Sequence, residues 1–206
     1  MLIKFENDNN KYYYYHNMDK KIFNTINSGK YVKMHLKSGE LYIAKKPSLI
    51  WTVLGSCVSV IFFNKRLKIG AICHALQAEE GNNDFNCGDF CQQPCYNNVP
   101  DSNKFKYVTC SIKYMYETFT KLKISKNEIE VKLFGGANVL AVSGNSNSIG
   151  MQNLKIAHKM LKCFDLTISS KNIGGEIGRT LYFYSDTGKV LLKENKSSLL
   201  KSKTIR

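Results

Sequence analysis

Cys57 and His74 are the two residues of this sequence whose types and spacing point most directly to chemistry. Cys57 ends the turn-like run Leu54-Gly55-Ser56-Cys57 and opens an apolar run, Val58 to Phe63. His74 closes a second apolar run that starts at Ile69, and Asn64-Lys65-Arg66 break the chain between the two. The pattern predicts a hairpin with Cys57 at the start of one strand and His74 at the end of the next, so both fall at one end of a sheet. A thiol beside an imidazole is the minimum equipment for nucleophilic catalysis by cysteine. The same spacing also fits a small buried cysteine and a hydrogen-bonded edge histidine. Spacing alone leaves both readings open.

Other elements must hold this pair in place. Glu40 to Ala44 reads as a short strand, broken by Pro47-Ser48, and Leu49 to Leu54 leads into the Cys57 turn. Val108, Ile112, Met115, Phe119 and Leu122 step by three and four, which predicts one helix with a single apolar stripe. Ile129, Val131 and Leu133 alternate with charged residues, as in a strand with one buried face. Phe134-Gly135-Gly136-Ala137 ends that strand with a glycine pair suited to a tight turn. The stretch Val142 to Asn147 reads as a polar loop. Ser148 is the expected N-cap of a second helix whose stripe is Leu154, Ala157, Leu161 and Phe164. Three strand-like runs follow, at 166–168, 180–184 and 190–192, with Asp186-Thr187-Gly188-Lys189 as a hairpin turn. Strands and helices do not alternate regularly, which predicts an α+β fold of mixed or antiparallel sheets layered with helices on one face.

Length and composition set the frame. The chain of 206 residues fits one domain with decorations. Residues 1–38 read as an N-terminal extension carrying the run Tyr12 to Tyr15, residues 39–194 as the domain, and 195–206 as a basic tail. Residues 78–105 read as a polar, cysteine-bearing insertion, a peripheral surface excursion. The first residues lack the long apolar segment of a signal peptide, and no run is long enough to span a membrane, so the expected location is the cytoplasm. There the seven cysteines are expected to be reduced. The net charge of +14 is lysine spread along the chain rather than an arginine stripe interleaved with aromatics, so no nucleic-acid role is expected.

The remaining candidates for chemistry are weaker. Cys87, Cys91 and Cys95 step by four, whereas zinc favours closer pairs and a fourth ligand, which His16 or Cys110 would have to bring from elsewhere. No metal and no cofactor are expected. Cys73, next to His74, should face the opposite side of its strand and pack in the core; Cys110 and Cys163 sit in the helices as structural residues; His35 and His158 read as surface residues.

Taken in order, these segments resemble the CheD family. Leu54-Gly55-Ser56-Cys57-Val58-Ser59-Val60 is similar to its nucleophile segment, and Ile69-Gly70-Ala71-Ile72-Cys73-His74 to its histidine strand. Lys132-Leu133-Phe134-Gly135-Gly136-Ala137 resembles its glycine-pair strand end, and Ile149-Gly150-Met151-Gln152-Asn153 its second-helix opening. Gly174-Gly175-Glu176-Ile177-Gly178-Arg179 with Tyr182-Phe183, and Asp186-Thr187-Gly188-Lys189-Val190, resemble its C-terminal turn and closing hairpin. The resemblance covers residues 39 to 194. It implies a fold similar to deamidating bacterial toxins. It also implies a hydrolase that converts glutamines of methyl-accepting chemoreceptors to glutamates, with the chemotaxis phosphatase CheC as regulatory partner. A monomer without metal or cofactor is the corresponding expectation.

The resemblance assigns Cys57 as nucleophile and His74 as base, with a threonine completing the site. In the family that residue often lies six positions before the cysteine, where this chain has Trp51; Thr52 stands one position later and is the candidate. Backbone N–H groups around Gly55, Ser56 and Cys57 are the candidate oxyanion donors, and Phe134, Gly135 and Gly136 are candidate substrate or partner contacts. Met151-Gln152 and Glu176-Ile177 depart from residues frequent in the family, and the insertion and extension have no counterpart in it. A non-catalytic module that docks on receptors or on the phosphatase is the alternative, and a transglutaminase or cysteine amidase a third.

Overall fold

The computed structural model describes residues 29–78, 104–139 and 148–195. The tyrosine run, Cys87, Cys91 and Cys95 with nearly all of the insertion, the 142–147 loop and the tail beyond residue 195 lie outside the described residues.

Among the described residues, nine strands form two sheets. The first contains β1 (Val32–His35), β3 (Ser48–Leu54), β8 (Arg179–Tyr184) and β9 (Val190–Glu194), in the order β1-β3-β8-β9. The second contains β2 (Leu41–Ala44), β4 (Val58–Asn64), β5 (Ile69–Cys73), β6 (Glu130–Gly135) and β7 (Ile168–Ile173), in the order β2-β5-β4-β6-β7. Pairs β1–β3 and β6–β7 are parallel and the rest antiparallel. Helices α1 (Val108–Lys121) and α2 (Ile149–Cys163) complete an α+β fold. Neither is long and apolar enough to cross a membrane.

Side-chain alternation along the strands produces three layers. Val58, Val60 and Phe62 of β4 point to the helices, where they meet Ile112, Met115 and Phe119 of α1 and Leu154, Ala157 and Leu161 of α2. Ile61 and Ile72 point the other way, into a second cluster with Ile50, Leu54, Leu181 and Phe183 of the first sheet. The five-stranded sheet is therefore the middle layer, apolar on both faces. This explains why β4 reads as an uninterrupted apolar run rather than an alternation.

The expected hairpin is β4–β5, and Ser148 caps α2 by accepting the Met151 N–H at 3.3 Å. Four local features differ from expectation, the first being the strand read at 166–168, which begins only at Ile168 and runs to Ile173. Leu49 to Leu54 is a strand buried on both faces except at Val53, and this burial removed most of the alternation that would have marked it. Leu122 caps α1 instead of extending its stripe and is exposed. Short β1, inside the stretch read as an extension, pairs with β3.

Candidate active site

The nucleophile candidate sits on a turn whose backbone is held at every residue. Gly55, Ser56 and Cys57 link β3 to β4. The Gly55 carbonyl accepts the Ala137 N–H at 2.8 Å, and the Cys57 carbonyl accepts the Gly136 N–H at 2.8 Å. The Ser56 carbonyl accepts the Asn153 side-chain amide at 3.1 Å. With three consecutive carbonyls turned to the scaffold, the peptide planes of the turn are fixed. The glycine pair makes this approach possible: a Cβ on Gly135, whose φ is +99°, would lie 2.2 Å from the Cys57 carbonyl oxygen. Gly150, opening α2, touches the Gly136 carbonyl in the same way.

Strand register then places His74 relative to Cys57. Val58 and Ala75 form an antiparallel bridge, exchanging both backbone hydrogen bonds at 2.9 Å. His74 therefore lies opposite Ser59, and Cys57, two residues from Ser59, shares its face of the sheet. The two side chains are diagonal neighbours, the arrangement in which cross-strand groups can meet. That face looks towards the first sheet, and Cys57 packs at the edge of the cluster between the sheets. Cys73 points to the helices, fully buried, and burial pushes its thiol up to about 11.

The first sheet supplies Thr52. It lies opposite Leu181 on β8 and has the same parity as Ile50 and Leu54, so it faces the middle sheet. Its hydroxyl is 2.6 Å from His74 Nδ1 and donates to the Leu36 carbonyl at 2.8 Å. Trp51 points to the outer face, with Leu49, Tyr182 and Tyr184, and its ring stacks on His35 at 5.5 Å. His35 is thus half-buried against Trp51 rather than a plain surface residue, whereas His158 is exposed. Phe134 is buried between the sheets, and Gly135 and Gly136 lie directly behind the nucleophile turn.

A five-residue run wraps His74. Besides the Leu36 carbonyl on Thr52, Ser38 Oγ lies 3.2 Å from His74 Nε2, the Gly39 N–H donates to the His74 carbonyl at 2.7 Å, and the His74 N–H donates to the Glu40 carbonyl at 2.9 Å. The imidazole is only 4% exposed, and burial lowers it to about 4. At neutral pH it is uncharged and able to accept a proton. Burial also raises the Cys57 thiol, while its own backbone N–H acts in the opposite direction. The resting pair is therefore a thiol beside a neutral imidazole rather than an ion pair.

Leu36 and Ser38 carry no signal in the sequence, and Asn153 enters it only as the end of the helix-opening segment 149–153. A backbone carbonyl leaves no trace in a sequence, and Ser38 lies in a run with no motif of its own. Asn153 did leave a signal. It sits next to Leu154 in the buried stripe of α2, is itself fully buried, and also donates to the Leu76 carbonyl at 2.9 Å, so it ties the cysteine turn to the strand beyond His74. Among the described residues no group of three or more His, Cys, Asp or Glu is placed to hold a metal. Cys57 and Cys73 are free thiols, but Cys163 is disulfide-bonded, which corrects the expectation of a fully reduced set.

A family model described as CheD chemotactic sensory transduction matches residues 92–194. A probable chemoreceptor glutamine deamidase CheD 2 of Geobacter sulfurreducens is 37% identical over 160 residues, spanning 78% of this chain and 88% of its own length. A probable chemoreceptor glutamine deamidase CheD of Maridesulfovibrio salexigens is 34% identical, spanning 78% of this chain and 91% of its own. One of Methanococcus maripaludis is 27% identical, spanning 78% and 94%.

Proposed function

The chain belongs to the CheD family, and we propose that it deamidates glutamine side chains of chemoreceptors, with Cys57 as nucleophile, His74 as base and Thr52 as the residue that orients the imidazole. The observation that carries the residue assignment is the Thr52 hydroxyl 2.6 Å from His74 Nδ1, on the face of the sheet that Cys57 shares.

A hydroxyl has one proton, and Thr52 gives its proton to the Leu36 carbonyl. It therefore accepts from Nδ1–H, which leaves the lone pair on Nε2. Nε2 takes the Cys57 proton, and the sulfur attacks the amide carbon of a receptor glutamine. The oxyanion that forms meets backbone N–H groups of Ser56 and Cys57, whose carbonyls are turned to the scaffold. The proton on Nε2 passes to the amide nitrogen, the C–N bond breaks, and ammonia leaves a thioester on Cys57. Water then gives a proton to Nε2 and adds to the thioester carbon. Loss of sulfur, which takes that proton back, releases glutamate and restores the thiol. Overall, amide and water become carboxylic acid and ammonia. No metal or cofactor enters any step.

Exposed apolar side chains stand on the segments that hold the cysteine turn. Val139 follows the Gly135–Ala137 support, Ile149 and Met151 open α2, and Ile177 lies in the loop whose Gly175 carbonyl accepts the Asn138 N–H. They form the rim against which the receptor segment around the target glutamine docks. A family-like domain spanning residues 39–194, joined by β1 and residues 36–38, working as a cytoplasmic monomer with a CheC-type phosphatase as partner, is the corresponding organisation; its support is the family resemblance and the pairing of β1.

The test is incubation of the full chain with the cytoplasmic part of a chemoreceptor, followed by peptide mass spectrometry for the amide-to-acid change and an ammonia assay. Conversion at defined glutamines with matching ammonia is the expected result. Binding to receptor or phosphatase without conversion of any glutamine would favour a docking module instead.

A further inference from the structure

We infer that Ser38 is a positioning residue of the thiol–imidazole pair: its hydroxyl holds Nε2 of His74 as Thr52 holds Nδ1, and it stabilises the imidazolium that forms when Cys57 gives up its proton. The inference rests on the reading of Cys57 and His74 as nucleophile and base. Three observations carry it. Ser38 Oγ lies 3.2 Å from Nε2, the nitrogen left with the lone pair once Thr52 has taken Nδ1–H. Ser38 is exposed whereas His74 is 4% exposed, so the hydroxyl stands between the buried ring and solvent. The next two residues, Gly39 and Glu40, bond to the backbone of His74, which fixes Ser38 relative to the ring.

A serine hydroxyl can donate or accept. In the resting protein it donates to the Nε2 lone pair, and it must turn its proton away to free that lone pair before the Cys57 proton can bond there. When the Cys57 proton moves to Nε2, an S–H bond breaks and an N–H bond forms. The Ser38 hydroxyl then accepts from Nε2–H, keeping its own proton throughout. The second bond has a charged donor and is about twice as strong as the neutral one. The net effect of Ser38 is therefore to favour the imidazolium, and with it the Cys57 thiolate. The other groups that act on His74 are the Leu36 carbonyl and Glu40 of the wrapping run, which favour its charge, and His35 of β1, which opposes it. A change at residue 38 leaves all three in place.

The test is the rate at which iodoacetamide alkylates Cys57 in the full chain near neutral pH, resolved from the other cysteines by peptide mass spectrometry. It is run beside an NMR titration of His74. Ser38→Ala should slow Cys57 alkylation about three- to tenfold, the loss of one hydrogen bond to a charged group, and should lower the His74 pKa. Ser38→Thr, which keeps a hydroxyl, should restore both towards wild type, which a merely structural defect would not. An alkylation rate in Ser38→Ala equal to or faster than wild type, or a His74 pKa that stays or rises, overturns the inference. His74→Ala separates the two readings. If Cys57 alkylation is unchanged there, the thiol and imidazole are not coupled and both readings fall. If it slows in His74→Ala but not in Ser38→Ala, only the role of Ser38 falls.

Discussion

The Thr52 hydroxyl lies between two polar atoms, 2.6 Å from His74 Nδ1 and 2.8 Å from the Leu36 carbonyl oxygen. Its single proton goes to the carbonyl, so the ring must donate, and this fixes the tautomer that leaves Nε2 basic. Thr52→Val keeps the shape but leaves Nδ1–H and the Leu36 carbonyl without their shared partner. It should lower kcat/KM for deamidation about a hundredfold, the lower range of a general-base contribution. Thr52→Ser should stay within a few-fold of wild type. Equal rates in Thr52→Val and wild type would remove Thr52 from the site.

Burial lowers His74 to about 4, and this gives two linked pH effects. The imidazole accepts a proton only when neutral, so the acid limb of kcat/KM should fall near pH 4 rather than near 6.5. Stability follows the same group. The unfolded histidine, with its ordinary pKa of 6.5, binds a proton that the folded one refuses until about 4. The contribution is thus fully present above 6.5 and lost as pH falls towards 4. Between pH 7 and pH 5 this one group should cost roughly 2 kcal/mol of stability. His35, also lowered first by burial, adds an effect of the same sign. Urea denaturation at both pH values should show a smaller pH-dependent loss in His74→Gln than in wild type. Equal losses would show that the folded and unfolded pKa values coincide.

Gly135 and Gly174 both have positive φ, +99° and +70°, but only Gly135 is crowded. A Cβ at 135 meets the Cys57 carbonyl at 2.2 Å, whereas at 174 nothing lies within 4 Å. Gly174→Ala should therefore cost only the backbone strain, about 1 kcal/mol. Gly135→Ala must also displace the nucleophile turn, and should cost at least about 2 kcal/mol more and abolish deamidation. Denaturation midpoints and activity of the two variants, measured side by side, check the difference.

The general layout was legible in the sequence because each part of it has a local signature. The hairpin from Cys57 to His74 is marked by two apolar runs around a charged turn, α2 by the Ser148 cap, and the turn support by the glycine pair at 135 and 136. The choice between Thr52 and Trp51 needed the register of a second sheet. Alternation along β3 sends Thr52 inwards to His74 and Trp51 outwards to His35, but from Ser48 to Thr52 β3 is buried on both faces, so that stretch shows no alternation to read. The contacts of residues 36–40 with His74 are mostly through backbone atoms of a run far from it in sequence. No residue type announces such contacts.

The apolar rim should act on substrate binding rather than chemistry. Ile149 and Met151 are 59% and 53% exposed on the first turn of α2. Replacing both with aspartate removes apolar surface that packs only against a docked receptor. KM for a receptor fragment should rise about tenfold or more with kcat little changed, since uniform binding is what is lost. Alkylation of Cys57 by a small reagent should be unaffected. An unchanged KM would mean that the receptor docks elsewhere.

The central claim is that the Cys57 sulfur carries the acyl group through a thioester. The most direct measurement is acid quenching of the full chain during turnover of a receptor fragment, followed by mass spectrometry of the peptide that contains Cys57. A receptor-derived adduct on Cys57 should form only during turnover, with both the adduct and glutamine conversion absent in Cys57→Ala. Undiminished conversion of receptor glutamine by Cys57→Ala would contradict that claim.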